Sequence, residues 1–281
     1  MMALPTAEIN CYLPRFMGEH TGAALFEVVG LRCVVVGGTA GIGLAVARHL
    51  SSCGARVVIT GRRDATELAA GFAATAVAMD VSDPDSVAVG FDAVDDVFDT
   101  IDCLVLNAGI DAETGPIDDH DLAAFEHVLD VNTIGLARAM HHGIRRVVDG
   151  GSVIVTSSPA GSVAVPGMAA YSASKAALDM LIRAWAIDLG PRQIRVNGVL
   201  PGIVESEMES ESSPSVELIR RMTANGRYRT ADEMAPVFHF LASPASVTLT
   251  GSLVGAHDGI PLGFSAEVMG HLAADLDGGG S

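Results

Sequence analysis

The residues "CVVVGGTAGIGLAVARHLSSCG", numbers 33–54, join an apolar run, a glycine loop and a segment with apolar residues at helical spacing. Within the loop, Gly37, Gly41 and Gly43 form the pattern G-x-x-x-G-x-G. Glycines let a backbone turn tightly and approach a pyrophosphate, and the free N–H groups at a helix N-terminus favour its negative charge. A strand, loop and helix at the first βα turn is the usual place for a dinucleotide. We therefore predict a dinucleotide-binding loop, although ordinary tight turns also cluster glycines.

Six further apolar runs follow the first one. They are "RVVITG" (56–61), "TAVAMD" (75–80), "CLVLNAG" (103–109), "SVIVTSS" (152–158), "IRVNGVL" (194–200) and "TGSLVG" (250–255). Their apolar residues occupy successive positions, which is typical of strands covered on both faces. The segments between them carry apolar residues at helical spacing. The sequence therefore predicts an α/β fold: a Rossmann-type, doubly wound, seven-stranded parallel sheet with helices on both faces.

The chain shows no internal repeat and no linker that would divide it. We predict a single dinucleotide-binding catalytic domain over residues 30–264, an N-terminal extension over 1–29 and a C-terminal tail over 265–281. Thr230 and Glu233 form a T-x-x-E capping box, which predicts a helix start just before "MAPVFHFLA".

Composition limits the partners. The formal net charge is −17, which disfavours binding to nucleic acid or to an anionic membrane surface. A hydrophobic content of 49% allows a large core and excludes disorder of the whole chain. The four cysteines show no C-x-x-C pair, and no leader or membrane-spanning stretch is indicated. We expect a cytoplasmic protein whose partner is a small molecule or another subunit.

The end of the second apolar run bears on cofactor choice. Folds that hold NAD place an acidic residue there, on the ribose 2′-hydroxyl. Here Gly61 stands at that position and Arg62 follows it. A guanidinium can clamp a 2′-phosphate, so we predict a preference for NADP(H), with NAD(H) possible. The alternatives are that Arg62 and Arg63 form a solvated turn, or that Asp64 takes the acidic role.

The segment "YSASK" (171–175) holds the only lysine of the chain, whereas the other sixteen of its seventeen basic residues are arginines. Arginine would serve wherever a salt bridge or a solvated charge is enough. We therefore predict a chemical role for Lys175. Residues i and i+4 share one helix face, so Tyr171 and Lys175 are expected to point into the same cleft.

With the glycine loop, "LNAG" (106–109), the serines at 157 and 158 and "YSASK" in this order, residues 31–259 resemble the short-chain dehydrogenase/reductase family, in its shorter single-domain subclass. The resemblance implies a catalytic set made of Asn132, Ser158, Tyr171 and Lys175. It implies cofactor contacts from Gly37, Thr39, Gly41, Ile42, Gly43, Arg62, Asp80, Val81, Asn107, Ala108, Gly109, Tyr171, Lys175, Pro201, Gly202, Ile203 and Ser206.

Several positions depart from the family pattern. Val36 replaces the usual threonine before the glycine loop, Leu106 replaces the first asparagine of N-N-A-G, and "DGI" (258–260) replaces D-G-G. Ala40 stands where many NADP-preferring members carry a second basic residue, which weakens the cofactor prediction. None of these changes removes a catalytic group.

The resemblance also implies the chemistry. Tyrosine has an ordinary pKa near 10, and lowering it by about 3 units requires about 4 kcal/mol. We expect Lys175 and an oxidised nicotinamide to supply this, Ser158 to donate to the substrate oxygen, and Asn132 to anchor a water that carries the proton from Lys175 to solvent. The predicted function is an NADP(H)-dependent carbonyl reductase, or the reverse alcohol dehydrogenase, with Tyr171 as general acid/base. The alternatives are a non-catalytic dinucleotide-binding sensor or scaffold, and an epimerase, dehydratase or dehalogenase on the same fold.

Two further expectations concern the surroundings of the site. An acidic lid of Glu205, Glu207, Glu209 and Glu211 disfavours highly anionic substrates if it faces the cleft. The resemblance implies a homo-oligomer, a tetramer or a dimer, built on the helices with Asn132 and Tyr171. No metal site is predicted: His141 and His142 are adjacent and point apart on a helix, and all nine histidines are interpreted as structural or solvated.

Overall fold

One parallel sheet of seven strands forms the centre of the computed structural model, which describes residues 22–111, 115–164, 166–204, 220–262 and 268. The strand order is β3-β2-β1-β4-β5-β6-β7, and every neighbouring pair is parallel. The strands are β1 (Arg32–Val36), β2 (Arg56–Gly61), β3 (Thr75–Ala78), β4 (Ile101–Leu106), β5 (Val147–Thr156), β6 (Arg195–Pro201) and β7 (Leu253–Ala256). The predicted fold class is confirmed.

Helices connect the strands and cover both faces. They are α1 (Gly41–Ser52), α2 (Thr66–Ala70), α3 (Pro84–Asp95), α4 (Leu122–Leu129), α5 (Leu136–Gly143), α6 (Ala169–Leu189) and α7 (Ala231–Ala242). A π-helical segment, Asp130–Gly135, joins α4 to α5. None of the described helices is long and apolar enough to cross a membrane.

Side-chain caps explain where several helices begin. The carboxylate of Asp83 accepts from the backbone N–H of Asp85 at the start of α3. The predicted capping box at α7 is confirmed: Thr230 Oγ1 accepts from Glu233 N at 3.4 Å, and Glu233 Oε2 accepts from Thr230 N at 3.1 Å. Each cap satisfies an N–H group that has no partner within its helix.

Each face of the sheet is covered by an apolar core. Along β1, Val34 and Val36 belong to the core under α3, α5 and α6, whereas Cys33 and Val35 belong to the core under α1 and α7. Successive strand residues point to opposite faces. This is why the strand sequences read as unbroken apolar runs.

The strand order reverses beside β1. Strands β2 and β3 lie to one side of β1, and β4 to β7 lie to the other. In open α/β sheets, ligands bind at the carboxyl ends of the strands where the order reverses. The fold therefore places a cleft beyond Val36 and Leu106, the last residues of β1 and β4.

Candidate active site

A cleft of about 1360 Å³ opens at the carboxyl ends of the strands. It is lined by most of the predicted site residues: Gly37, Thr39, Gly41, Ile42, Arg62, Asp80, Val81, Asn107, Ala108, Gly109, Ser158, Tyr171, Lys175, Pro201, Gly202 and Ile203. Two predicted site residues do not line the cleft: Gly43, which lies in the first turn of α1, and Asn132, whose side chain is fully buried. Ser206 and the acidic lid at 205–211 lie outside the described residues.

The glycine loop packs tightly against its neighbours. Gly37 has φ +78°, a conformation that side chains rarely adopt, and its N–H donates to Thr60 O at 3.0 Å. A Cβ added at Gly43 would overlap the carbonyl oxygen of Gly37 and lie 2.5 Å from Asn107 Nδ2. The missing side chain therefore lets α1 begin directly against the loop, with its first N–H groups directed at the cleft.

Gly43→Ala is expected to destabilise the protein by about 2 kcal/mol and to weaken dinucleotide binding, because the added methyl group must displace backbone in the loop. Urea unfolding and cofactor titration measure the two effects. Gly190→Ala is the matched control, since a Cβ there meets no atom within 4 Å. Equal behaviour of the two variants would contradict the tight packing at Gly43.

Asn107 joins three strand ends beneath the loop. Its Nδ2 donates to Gly37 O at 3.0 Å, its Oδ1 accepts from Thr156 Oγ1 at 2.9 Å, and its backbone N donates to Val36 O at 2.9 Å. The side chain thus fixes the ends of β1, β4 and β5 relative to one another. Ala108 and Gly109, which follow it, line the cleft.

The cleft end next to β2 carries the residues predicted to select the cofactor. Arg62 and Asp80 both line it, and Arg62 is exposed. Partial burial opposes ionisation of Asp80, but the hydrogen bonds from Ser82 and the charge of Arg62 outweigh it and lower the pKa of Asp80 overall. The Asp80 carboxylate is therefore ionised at neutral pH.

Two observations describe the side chains near the end of β2, where an acidic residue would meet a cofactor ribose. A Cβ added at Gly61 would lie 2.5 Å from Thr39 Oγ1, so a side chain there requires Thr39 to move. The Asp64 carboxylate already accepts from Thr66 N at 3.0 Å and from Thr66 Oγ1 at 2.7 Å, where α2 begins. Arg62 and Arg63 are the cations that line this end of the cleft.

Arg138 was not identified from the sequence. Its guanidinium on α5 donates to Val81 O at 3.3 Å and to Ser82 O at 3.1 Å, and it pairs with Asp130 at 2.9 Å. It therefore holds the loop after β3 that lines the cleft. Its separation from Val81 by 57 positions left no local sequence signal.

Tyr171 and Ser158 meet at the inner part of the cleft. Ser158 follows the carboxyl end of β5, and Tyr171 lies in the first turn of α6. Burial raises the pKa of Tyr171, a hydrogen bond with Ser158 opposes that shift, and nearby Asp111 adds to it. Ser158 Oγ also accepts from Ala160 N at 3.2 Å. Tyr171 is therefore a neutral phenol at pH 7 in the protein alone.

Lys175 lies one turn after Tyr171 and is only 3% exposed. Its Nζ donates to Thr156 O at 3.0 Å and lies 5.5 Å from the centre of the Tyr171 ring. Burial lowers the pKa of Lys175 to about 8, against an opposing effect of Asp179, so the amine is mostly protonated at pH 7. In the protein alone the pKa of Tyr171 is raised, because desolvation of the phenol dominates. The predicted lowering by Lys175 together with an oxidised nicotinamide stays a prediction.

Asn132 is positioned by the π-helical segment. Its Oδ1 accepts from Ile110 N and its Nδ2 donates to Ile110 O, both at 2.8 Å. Nδ2 also lies 3.1 Å from Ser174 Oγ on α6. Asn132 thus joins the loop after β4 to the catalytic helix, and its predicted water-anchoring role stays a prediction. Single π-helical turns often occur at functional sites.

Gly109 separates Asn132 from Lys175. A Cβ added at Gly109 would lie 3.3 Å from Asn132 Oδ1 and 3.7 Å from Lys175 Nζ. Any side chain at 109 would therefore occupy the space between the Asn132 amide and the Lys175 ammonium.

The end of β6 contributes three more predicted residues to the cleft: Pro201, Gly202 and Ile203.

Residues 37–260 match a family model described as enoyl-(acyl carrier protein) reductase. The chain is 34% identical over 237 residues to cis-4-hydroxycyclohexanecarboxylate dehydrogenase of Sinomonas cyclohexanicum, a match covering 80% of this chain and 94% of that protein. It is 32% identical to versicolorin reductase of Emericella nidulans, with 83% and 97% covered.

Solved structures agree with the sequence comparison. A short-chain dehydrogenase of Burkholderia cenocepacia J2315, in complex with NADP, is 34% identical and has a TM-score of 0.77, with 83% of this chain and 99% of that chain covered. The chain belongs to the short-chain dehydrogenase/reductase family and is an oxidoreductase of that family. The resemblance inferred from the motifs is confirmed.

Proposed function

We propose that this protein is an NADP(H)-dependent reductase that interconverts a ketone and a secondary alcohol, with Tyr171 as the general acid/base. The observation that carries the proposal is the meeting of Ser158, Tyr171 and Lys175 at the inner part of the cleft. The named relatives are a dehydrogenase and a reductase, which supports redox chemistry.

The cleft fits a nicotinamide dinucleotide. Gly37 and Gly43 let the loop pack directly against Ala108 and Asn107, whereas a Cβ at Gly41, the first residue of α1, would meet no atom within 4 Å, which leaves the helix N-terminus open to a phosphate. The bound cofactor supplies the hydride. Lys175 would donate to the ribose hydroxyls of the bound cofactor, and Pro201, Gly202 and Ile203, which also line the cleft, would flank the nicotinamide.

The protein supplies the proton and the geometry for reduction. The pKa of Tyr171 is raised by burial, so the phenol keeps its proton at neutral pH and donates it to the oxygen of a bound carbonyl. Ser158 Oγ donates to the same oxygen as negative charge develops there. Lys175, mostly protonated because its pKa is about 8, stabilises the resulting phenolate.

The proposed preference for NADP(H) rests on Arg62. It is exposed on the cleft, Gly61 contributes no carboxylate, and Asp64 is engaged by Thr66. A 2′-phosphate therefore meets a guanidinium fork, whereas a bare 2′-hydroxyl gains no acidic partner from this strand end. Arg63 also lines the cleft and is the second cation available.

Arg62→Ala is expected to weaken NADPH binding about 10- to 100-fold, the loss of one or two hydrogen bonds between charged groups, while NADH binding changes less than threefold. Equilibrium titrations with both cofactors measure this. Arg145→Ala is the matched control, because Arg145 is exposed after α5 and contacts His141 outside the cleft. Equal weakening of both cofactors would contradict a 2′-phosphate contact.

The reaction itself is tested with a panel of uncharged ketones by following NADPH oxidation. Turnover that requires Tyr171 supports the proposal. Binding of NADPH without turnover of any carbonyl compound would favour the non-catalytic sensor or scaffold. Product formation without net NADPH oxidation would favour an epimerase, dehydratase or dehalogenase. An acyl-CoA thioester turned over faster than the ketones would contradict the acidic-lid prediction.

The proposed homo-oligomer has support from apolar side chains on the two expected helices. Met180 and Ile187 on α6 are 61% and 79% exposed, and Ile134 in the π-helical segment is 48% exposed. Such side chains on neighbouring helices are suited to a subunit contact. Light scattering of the purified protein gives the number of copies.

A further inference from the structure

A second cluster of chemically active side chains lies far from the cleft. His49 near the end of α1, Cys53 just after α1 and His239 on α7 each offer one ligand atom, and these atoms all lie within 4.8 Å of one another. Among the described residues this is the one such group of three. Helix α1 runs from the carboxyl ends of the strands to their amino ends. The cluster therefore lies at the amino ends of the strands, whereas Tyr171 lies at the carboxyl ends.

We propose that His49 Nε2, Cys53 Sγ and His239 Nδ1 bind a Zn²⁺ ion, with water as the fourth ligand. Thiolate and imidazole are the donors that zinc prefers. The three residues are all half-buried, so an ion can enter from solvent. The i, i+4 spacing of His49 and Cys53 places both on one face of a helix, the geometry that pairs of metal ligands on helices use.

The distances suit tetrahedral zinc. Zn–N bonds of about 2.0–2.1 Å and Zn–S bonds of about 2.3 Å place nitrogen atoms about 3.3 Å apart and nitrogen and sulfur about 3.6 Å apart. His49 Nε2 lies 3.0 Å from His239 Nδ1 and 3.8 Å from Cys53 Sγ. Cys53 Sγ and His239 Nδ1 lie within 4.8 Å of each other, so zinc binding requires at most a small movement of these two side chains toward the ion.

A backbone carbonyl fixes the third ligand in the correct tautomer. His239 Nε2 lies 2.6 Å from Phe26 O. A carbonyl oxygen only accepts, so Nε2 carries the proton and Nδ1 presents its lone pair to the cluster. Imidazoles that bind metals usually donate their other N–H to such a group, which orients the ring. The short 3-10 helix Gly22–Phe26, which precedes β1, therefore orients the His239 ring through the carbonyl of Phe26.

The negative charge of the chain favours a cation, and the protons and bonds of the binding step can be accounted for. The chain carries a net charge of −17, which attracts cations to its surface. On binding, the Cys53 thiol releases its proton to solvent. His49, whose Nε2–H donates to His239 Nδ1 before the ion binds, binds as the neutral tautomer protonated at Nδ1, and His239 binds as the neutral tautomer protonated at Nε2. One Zn–S and two Zn–N bonds form, no electron is transferred, and α1 becomes linked to α7.

The test is metal binding by the full chain after chelator treatment. Co²⁺, used as a spectroscopic substitute, is expected to give one equivalent of tetrahedral absorption with a thiolate-to-cobalt band. Zn²⁺ about a hundredfold above its Kd is expected to raise Tm by about 5 °C. Cys53→Ser should remove the thiolate band, and His239→Gln should weaken Zn²⁺ binding about tenfold or more.

Three controls separate this site from adventitious binding. His141→Gln replaces an exposed histidine elsewhere, and Cys11→Ser replaces a cysteine outside the described residues; both should keep the band and the affinity. Circular dichroism and cofactor binding confirm that the variants fold. A band that survives Cys53→Ser, or no Tm rise with Zn²⁺ in the unaltered protein, would overturn the proposal.

Discussion

Tyr171→Phe is expected to lower the rate of carbonyl reduction by about 10³-fold or more while leaving the affinity for NADPH within about threefold. Phenylalanine keeps the ring that packs one turn before Lys175 but cannot donate a proton to the substrate oxygen. The ring position should hold because α6 begins two residues earlier and is anchored along its length by buried residues. Steady-state rates and a cofactor titration on the same preparation give both quantities.

Tyr228→Phe is the matched control for that experiment, since Tyr228 does not line the cleft. It makes the same chemical change and should retain nearly full activity. If Tyr171→Phe keeps more than about a tenth of the activity, another group supplies the proton and the proposed mechanism fails. If it loses NADPH binding as well, the ring has a structural role that the activity loss alone would not reveal.

Lys175→Arg and Lys175→Met are both expected to lower kcat/KM by about 100-fold or more, the equivalent of about 3 kcal/mol. Arginine keeps the charge but has a planar fork, and the 3% exposed site is shaped around an ammonium that donates to Thr156 O at 3.0 Å. Methionine keeps the length and removes the charge. An active Lys175→Arg variant would show that charge alone is enough, which would remove the explanation for the single lysine.

The stability of the same variants gives an independent readout. The folded pKa of Lys175 is about 8, below the ordinary value of 10.5, so burying its charge opposes folding below pH 8 and no longer does so above about pH 10.5. The stability of Lys175→Met relative to the unaltered protein should therefore be higher at pH 7 than at pH 10.5, by up to about 3 kcal/mol, on top of a pH-independent loss of the hydrogen bond to Thr156 O. Comparing the two proteins at each pH cancels the other titrating groups. A relative stability that does not change between pH 7 and pH 10.5 would contradict the burial cost.

The local motifs explain why the sequence predicts the fold well. The glycine loop, the strand runs and the i, i+4 pair of Tyr171 and Lys175 each depend on residues close together in the chain. Parallel strands covered on both faces must read as apolar runs, and the structure shows two cores that share alternate residues of β1. The apolar runs therefore predict the sheet, and the motifs, through the family resemblance that they carry, predict most of the residues that line the cleft.

The contacts that the sequence did not predict all depend on tertiary packing. Arg138 reaches the carbonyl of Val81 across 57 positions, and His239 meets His49 across 190. The raised pKa of Tyr171 in the protein alone likewise has no sequence signal, because it depends on how deeply the fold buries the phenol. His141 and His142 are neighbours in the sequence, whereas His49, Cys53 and His239 come together only because α1 packs against α7.

The π-helical segment Asp130–Gly135 has a consequence for the faces of the long helix that contains it. One extra residue in a turn advances the side chains by about 100° relative to an uninterrupted α-helix. The segment before it, α4, packs on α6, whereas the segment after it, α5, packs on α3. A single rod of regular pitch would direct both halves to one neighbour. The π-helical turn therefore rotates the second half of the helix relative to the first. As a result, one continuous helix packs against α6 with its first half and against α3 with its second half.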